Sequence, residues 1–583
     1  MPSIPYRWQV ALFAAISGLS SCYHLGTLTG AWAGFQPRID DTMVGVDGYK
    51  DLLIWITTGT AGVTGLLGGF LGDYLGRRRP ILMSAVLFLL GAMAITADCI
   101  FCHTETNQST VFYLTMFGRV LTGVAIGVSS VIVPVYLGEI SINSSRGKMI
   151  GLYQLFLTIG FLLASIMNAA LSGICADLSW RVLFGMGIVP PLIQMLGLWW
   201  APDSPEWLLS HDREEEALLA FQRILDSEEK ASLALNTLKA QREWMDRKQL
   251  SSISKSPMST IVNTSIWRRS LILCCLLQGF QQLCGINTVM YYSSPILRMA
   301  GSMAFKQTSP NFTLWLSCIT TGVNFLSTFP ALYLVDRIGR RPLMLASVVG
   351  VTLGLLLLGA SFTVIKDSSP YLSSVKGDGS FCGNFRSCDD CSYQNSCVFR
   401  FQTNDSTSYY AGSCMQKNPA LVSNSFFPCN DSTTVLENKD IVMADGWCPT
   451  DFYWLPLISM VMFLCFFAVG FGPIPYIANA EYFPGELRCW GAAAAMLTNW
   501  TFNTVISYSF PSLATRITRQ GTFFLYSGVT VLAFTTIFNL MPETKNQTMG
   551  AIPVKSASFC FGFCSGYVYG YGTKWKSAPK PNC

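Results

Sequence analysis

Several amide side chains fall inside long apolar stretches of this sequence, where polar groups are uncommon. Six of the amides in these stretches are candidates for a binding site, namely Gln154, Gln281, Gln282, Asn287, Asn324 and Asn499. A buried amide without a partner is costly, and each amide offers both hydrogen-bond donors and acceptors. A neutral ligand with several hydroxyl groups has the same mixed chemistry. The aromatic side chains of Tyr476 and Trp500 could pack against the C–H groups of such a ligand.

These eight residues predict a binding site for a small, neutral, polyhydroxylated molecule. A carboxylate or an organic cation would require a compensating charge, and away from their ends the apolar stretches offer only His24 and Arg119. Two alternatives stay open. The amides could hydrogen-bond between helices, which is common in membranes, and Tyr476 could be ordinary core packing.

His24 and Arg119 are also the candidates for moving a proton. His24 is the only one of three histidines inside an apolar stretch, and an ionisable group at such a position is a functional candidate. The alternative is a neutral histidine that hydrogen-bonds at a helix interface.

Two charged patterns each occur twice. Asp-x-x-Gly-Arg-Arg occupies 73–78 and 336–341, and Glu-x6-Arg occupies 139–146 and 481–488. We expect their acids and bases to pair across two halves of the protein and to form a gate. The bases could instead be topology markers only, although a repeated acid–base spacing fits that alternative poorly. The candidate gate residues are Asp73, Arg77, Arg78, Glu139, Arg146, Asp336, Arg340, Arg341, Glu481 and Arg488.

Membrane-spanning helices must position these side chains. Only 13% of the 583 residues are charged, whereas soluble proteins carry about a quarter. Eleven long stretches lack Asp, Glu, Lys and Arg, and a twelfth at 111–138 contains only Arg119. Because a bilayer core needs roughly 20 apolar residues, the pattern excludes a soluble enzyme. It predicts an all-α membrane protein with twelve transmembrane helices.

The duplicated patterns divide the twelve helices into two pseudo-symmetric six-helix bundles, at 1–201 and 266–545. A helical linker at 202–265 joins them, a cysteine-rich loop at 366–450 is inserted between spans nine and ten, and 546–583 is a tail. Lys and Arg number 25 on one side and seven in the short loops of the other. The positive-inside rule therefore predicts cytoplasmic termini, linker and tail in a multi-pass protein of the plasma membrane. The net charge of +5 reflects this bias and does not indicate nucleic acid.

The inserted loop holds seven cysteines, which are Cys382, Cys388, Cys391, Cys397, Cys414, Cys429 and Cys448. Dense cysteines in an external loop predict disulfides, although their spacing also admits a metal site. The odd number leaves one thiol, for which Cys99, Cys102 or Cys175 could be the partner. Asn404 and Asn430 begin glycosylation sequons in the same loop.

Seven segments resemble the sugar porter family of the major facilitator superfamily. They are G-F-L-G-D-Y-L-G-R-R at 69–78, G-R at 118–119 with P-V-Y-L-G-E at 134–139, Q-Q-L-C-G-I-N at 281–287, D-R-I-G-R-R at 336–341, G-F-G-P-I-P-Y at 470–476, N-W at 499–500 and P-E-T-K at 542–545. The resemblance covers nearly the whole chain and implies the major facilitator fold. The cysteine-rich loop resembles that of the proton myo-inositol cotransporters within this family.

Two departures from the family pattern bear on mechanism. The family's P-E-S-P-R reads P-D-S-P-E at 202–206, which reverses a charge. Proton-coupled members have an aspartate where this chain has His24, and the resemblance places that position opposite Arg119. A protonated His24 would face a like charge, so we expect a neutral His24 near neutral pH and weak or absent proton coupling.

The sequence thus predicts a secondary transporter that moves a neutral polyol or hexose by alternating access, most like a myo-inositol symporter. A facilitative hexose uniporter is the alternative in the same class, and a non-transporting sugar sensor is the alternative from another class. No nucleotide, metal or cofactor motif indicates a pump or an enzyme. The expected partners are the small substrate, the lipid bilayer and, as a candidate co-substrate, the proton.

Overall fold

A computed structural model describes residues 5–35, 46–97, 108–172, 176–247, 256–299, 312–369, 452–547 and 549. Between 382 and 450 it describes 382, 385, 387–392, 397–402, 410–416, 441–444, 448 and 450. Two predicted glycosylation sites, Asn404 and Asn430, lie outside these residues, as do Cys429 and the tail from 550 onward.

The first half contains six long apolar segments, the last of which is interrupted by a 3-10 turn at Met186–Ile188. Pro190 and Pro191 follow that turn and lack the N–H groups that a continuous α-helix would use. The helices are α1 (Tyr6–Phe35), α2 (Val46–Leu75), α3 (Arg78–Thr96), α4 (Gln108–Glu139), α5 (Arg146–Leu171), α6 (Ala176–Gly185) and α7 (Val189–Leu198).

Four shorter helices follow before the second half. They are α8 (Pro205–Ser210), α9 (Glu214–Leu225), α10 (Glu228–Arg247) and α11 (Pro257–Asn263). The Ser204 hydroxyl caps α8 by accepting from the Trp207 N–H, and three glutamates occupy the first turn of α9. The hydroxyl satisfies a free backbone N–H group at the start of α8, and the glutamates complement the positive N-terminal end of α9.

The second half repeats the first, with two broken segments. The helices are α12 (Ser265–Leu283), α13 (Ile286–Met299), α14 (Phe312–Arg337), α15 (Arg340–Asp367), α17 (Trp454–Phe466), α18 (Ile474–Glu481), α19 (Gly485–Arg516) and α20 (Arg519–Leu540). Gly285, with φ +81°, separates α12 from α13, and a π-helical turn at Phe467–Phe471 precedes α18.

Eleven helical segments in the described part of the chain are long and apolar enough to cross a membrane. The remaining membrane-length helix, α19, has 32 residues and includes the polar residues Asn499 and Asn503. Its polarity fits its position, because α19 packs against α2 of the first half. The equivalent contact joins α5 to α14, so the two interfaces between the halves are related by the duplication.

A small disulfide-bonded unit lies between α15 and α17. It contains a short helix α16 (Cys388–Ser392) and the strands β1 (Cys397–Gln402), β2 (Tyr410–Gln416) and β3 (Ile441–Ala444). The strands form an antiparallel sheet in the order β2–β1–β3. Six of the predicted cysteines pair as Cys382–Cys397, Cys388–Cys448 and Cys391–Cys414. An ion pair of 3.7 Å between Asp389 and Arg519 joins this unit to the start of α20.

The break at Gly285 supplies a stability prediction. A Cβ atom there would lie 2.6 Å from the Tyr526 ring, and a left-handed residue other than glycine costs about 1–2 kcal/mol. We expect Gly285→Ala to lower the thermal unfolding midpoint of the purified protein. Gly528→Ala is the control, because a Cβ at Gly528 in α20 meets nothing within 4 Å. Equal midpoints for both variants would contradict a required break at Gly285.

Candidate functional site

Five amides form a connected hydrogen-bonded group. The Asn499 amide donates to the side-chain oxygens of Gln278, at 2.6 Å, and of Gln281, at 2.9 Å. Gln282 donates to Gln281 at 3.4 Å, and Asn287 donates to Gln282. We call Gln278, Gln281, Gln282, Asn287 and Asn499 the amide cluster. Four of them were proposed as substrate-binding residues from the sequence.

Two breaks in the helices make this group possible. On a regular helix Asn287 would lie away from Gln282, but the break at Gly285 brings the two side chains into contact. The π-helical turn leaves backbone carbonyls outside the regular ladder, and Gln281 donates to those of Phe471 and Gly472 at 2.9 and 2.8 Å. Irregular backbone at membrane depth is tolerated where protein groups satisfy it.

Three predicted substrate-binding residues lie beside the cluster, at the boundary between the halves. The Trp500 indole N–H donates to the Ser130 hydroxyl at 3.2 Å, and the Tyr476 ring lies 5.5 Å from the Tyr153 ring, centroid to centroid. Gln154 approaches Gly472, because a Cβ at that glycine would lie 3.0 Å from the Gln154 amide nitrogen. The site therefore draws side chains from both halves.

Asn324 is placed differently from the other predicted amides. Its amide nitrogen lies 3.8 Å from the Met290 sulfur, and its side-chain oxygen has no hydrogen-bond partner among the described residues. It stays a predicted substrate-binding residue outside the amide cluster. An unsatisfied buried acceptor of this kind is costly unless another group, such as a ligand hydroxyl, donates to it.

The residues of the site differ slightly in how much of their surface is exposed. Gln278 and Asn499 are 0% and 1% exposed, whereas Asn287, Tyr476 and Trp500 each keep 8%. The deep amides connect to the more accessible Asn287 through Gln281 and Gln282. A ligand hydroxyl that reaches Asn287 can exchange hydrogen bonds with the cluster, because amides both donate and accept.

His24 and Arg119 lie close together, although their side chains do not bond to each other. The Arg119 guanidinium donates to the backbone carbonyl of His24 at 2.7 Å. The His24 ring instead stacks on Phe88 at 5.7 Å, centroid to centroid, and lies over Gly187. Both side chains are almost completely buried.

The gate residues gather at one end of the helices, which we call the charged face, and Glu139 is central to one group. Arg77 binds the Glu139 carboxylate with two parallel hydrogen bonds of 2.9 and 3.0 Å. Arg488 of the other half donates to Glu139 at 2.9 Å. Glu206 in α8 also accepts from Arg488. One carboxylate thus joins arginines from both halves.

Glu481 occupies the equivalent position in the second copy. It accepts from Arg340 at 3.0 Å and lies 3.9 Å from Arg146 of the first half. Asp336 reinforces this contact by accepting from the backbone N–H groups of Gly147, at 3.1 Å, and Lys148, at 3.0 Å. The glutamate of each copy therefore pairs with the arginine of the other copy, as Glu139–Arg488 and Glu481–Arg146.

Arg78 and Arg341 contact their own halves instead, whereas Asp73 also reaches Cys489 and Trp490 of the second half. Arg78 donates to the Leu198 and Trp199 carbonyls, and Arg341 donates to the Phe538 carbonyl at 2.7 Å. Asp73 lies 3.7 Å from Arg77. Arg78 and Arg341 thus support the gate from within one half, and in the described part of the chain none of the three residues makes an ion pair across the boundary.

Two acids missed by the sequence analysis organise the repeated turns. Asp203 accepts from the backbone N–H groups of Arg77 and Arg78, and Glu543 accepts from those of Arg340 and Arg341. Gly76 and Gly339 have positive φ, and a side chain at either would collide with the acid. The acids follow a proline at the end of each half, at 202–203 and 542–543, and this repeat could have identified them.

The linker contacts both halves at the charged face. The Trp207 indole donates to the Asp73 carbonyl at 2.8 Å, while Glu206 binds Arg488. Arg242 donates to the Leu209 carbonyl and lies 3.9 Å from Glu486 of α19. Glu206 stands where the family pattern has a basic residue, and it supplies a second acid to Arg488.

Comparison with known proteins agrees with this architecture. The model of the family described as sugar (and other) transporter matches residues 10–380 and 451–555. The proton myo-inositol cotransporter of Homo sapiens is 31% identical over 552 residues, covering 94% of this chain and 81% of that protein. Probable inositol transporter 2 of Arabidopsis thaliana is 31% identical over 557 residues, covering 94% and 91%. A proton:xylose symporter bound to 6-bromo-6-deoxy-D-glucose gives a TM-score of 0.69 at 20% identity, covering 94% and 98%.

The chain therefore belongs to the sugar (and other) transporter family. Its two six-helix halves form the major facilitator fold, and its family and relatives are transporters rather than enzymes. The predicted fold and class of protein are confirmed. The family match omits 381–450, which includes the disulfide-bonded unit, so this segment is an insertion relative to the family model.

The paired glutamates predict how the gate responds to loss of one charge. Removing one partner of a buried ion pair costs about 3–5 kcal/mol, and that cost falls on the state closed at the charged face. We expect Glu481→Gln to increase the alkylation rate of Cys489 several-fold, as measured by peptide mass spectrometry. Cys489 is a useful reporter because it is a free thiol, is fully buried and lies on α19 against Gly69 and Gly72 of α2.

Glu216→Gln is the matched control for this experiment. Glu216 pairs with Arg213 on an exposed surface of α9, so its loss should leave Cys489 protected. Unchanged alkylation of Cys489 in Glu481→Gln would contradict a gate that depends on this carboxylate.

Proposed function

We propose that this chain moves myo-inositol, or a closely similar neutral polyol, by alternating access between its two halves. The observation that carries the proposal is the amide cluster, which lies at the boundary of the halves and has no ionised side chain among its members. A polyol matches it because each hydroxyl group both donates and accepts. The names of the human and plant relatives, which refer to inositol, support the same substrate class.

The gate supports the alternating part of the mechanism. Closure at the charged face joins Glu139 to Arg488 and Glu481 to Arg146 across the boundary, and opening must break both contacts. The excess of Lys and Arg on this side favours its location in the cytoplasm, with the disulfide-bonded unit outside the cell. The plasma membrane is the membrane that this orientation favours.

His24 and Arg119 support a transporter that is weakly coupled or uncoupled to protons. Moving a proton into the cell releases about 2.3 kcal/mol per 100 mV of membrane potential. To use this energy, a group of the transporter must bind and release the proton during each cycle. The His24 ring is completely buried against Phe88 and Gly187 beside the cationic Arg119. Burial and a neighbouring positive charge both oppose protonation of an imidazole.

The substrate site is tested by removing two amides of the cluster. We expect the double variant Gln282→Ala with Asn287→Ala to raise the KM for labelled myo-inositol in proteoliposomes by about tenfold or more, since 1.4 kcal/mol is a factor of ten. The KM rises because the variant lacks hydrogen bonds that the wild type makes to the substrate. Competition by a panel of hexoses and polyols on the wild type separates an inositol carrier from a hexose carrier.

Asn539→Ala is the control for the double variant. Asn539 is an exposed amide of α20 that donates to Thr535 in its own helix, so its loss should leave uptake unchanged. Saturable uptake that is equal in the double variant, the control and the wild type would exclude the amide cluster as the substrate site. The absence of saturable uptake by correctly inserted wild type would favour a sensor instead.

Proton coupling is tested by uptake with and without an inward proton gradient at the same external pH. We expect wild-type proteoliposomes to equilibrate myo-inositol in both conditions without concentrating it. Accumulation above equilibrium that depends on the gradient, or an inward current that tracks substrate, would contradict a neutral His24 and assign proton coupling to the chain.

A further inference from the structure

Arg119 is a cation whose charge is only partly compensated inside the membrane. It is 1% exposed, and one nitrogen donates to the His24 carbonyl at 2.7 Å. Its guanidinium carbon lies 5.0 Å from the centroid of the Phe184 ring. The other two guanidinium nitrogens, Nε and Nη2, have no hydrogen-bond partner within the described ranges.

No carboxylate in the described part of the chain lies within ion-pair distance of Arg119. A carbonyl dipole and an aromatic face each interact favourably with a cation, but neither carries a full negative charge. Removing a cation from water costs several kcal/mol, and only a paired charge with good geometry offsets that loss. Among the described residues, the Arg119 charge therefore has no negative partner.

A small cavity lies against this guanidinium. It is lined by Leu25, Leu28, Ile54, Thr57, Arg119 and Tyr291, and it has room for a species somewhat larger than a water molecule. Five of these residues belong to α1, α2 and α4 of the first half. Tyr291 belongs to α13 of the second half, so the cavity lies between the halves.

We propose that Arg119 and this cavity form a binding site for a small monovalent anion of about the size of chloride. The guanidinium supplies the charge, and its unpartnered N–H groups supply the donors that an anion requires. The small volume and largely apolar lining favour a single weakly hydrated halide over a polyatomic or divalent anion. The anion supplies the negative charge that the neutral side chain at position 24 does not.

The place of Tyr291 in the lining links anion binding to the transport cycle. A rearrangement of the halves separates α13 from α1, α2 and α4 and so changes the cavity. An anion that binds the described arrangement more tightly than the rearranged one shifts the population toward it. The existence of the site is independent of the substrate, whereas its effect on uptake rests on the proposed transport function.

The binding test uses the purified full-length protein in detergent. Sodium chloride replaces sodium gluconate at constant ionic strength and pH, so that general screening does not change. A ligand that binds only the folded state raises the thermal unfolding midpoint. We expect the midpoint of the wild type to rise with chloride and to saturate. A midpoint that does not change with chloride overturns the proposal.

Two variants at position 24 locate the effect. The Arg119 charge acts on the side chain at position 24, so a carboxylate introduced there adds a negative charge near the guanidinium. We expect His24→Asp to lose the dependence of the midpoint on chloride, because it supplies a resident charge. His24→Asn has nearly the same shape without the charge and should keep the dependence. A chloride response of equal size in both variants overturns the assignment to Arg119.

Uptake of labelled myo-inositol provides a measurement on the wild type alone. In proteoliposomes, replacing chloride by gluconate on both sides should reduce the initial rate several-fold. A chloride-dependent midpoint in a protein that moves no myo-inositol supports the anion site and rejects the proposed substrate. Equal uptake in both salts, with a midpoint insensitive to chloride, rejects the anion site and leaves the proposed function intact.

Discussion

The two buried carboxylates at the charged face impose the constraint on which the rest of the structure depends. Glu139 and Glu481 each bind an arginine of their own half and approach one of the other half. The attraction within a buried ion pair is largely offset by the loss of hydration. Because opening returns these charges to water, the closed and open states can lie close in free energy, whereas an apolar seal of equal area would strongly favour closure.

The amide cluster requires backbone that a regular helix cannot supply. The break at Gly285 places Asn287 beside Gln282, and the π-helical turn presents the Phe471 and Gly472 carbonyls to Gln281. The π-helical turn is tolerated because Gln281 of another helix donates to its free carbonyls. The same contacts tie the broken segments of the second half together, so a ligand that exchanges hydrogen bonds with the cluster acts directly on the elements that differ from regular helices.

The sequence predicts the helices and many of the site residues, because their signals are local. Apolar stretches, the repeated gate patterns and the amides at 281–287 can each be read from one segment. The partners of Glu206 and Asp203 could not be predicted, since they depend on how the linker folds back onto helices far away in the chain. Gln278 lies three residues before Gln281, so the sequence places both on one face of α12. The hydrogen bond from Asn499 to Gln278 depends on how α12 packs against α19, which a local pattern does not reveal.

The central claim is that the halves move as two bodies held together at the charged face by Glu139 and Glu481. The most direct measurement is the distance distribution between spin labels at Ile142 and Ile338, which are 37% and 48% exposed and lie on opposite halves. The account predicts a shorter and a longer distance in the wild type, with the longer one enriched when both glutamates are replaced by glutamine. A single distance that is the same in the wild type and in the double variant would contradict it.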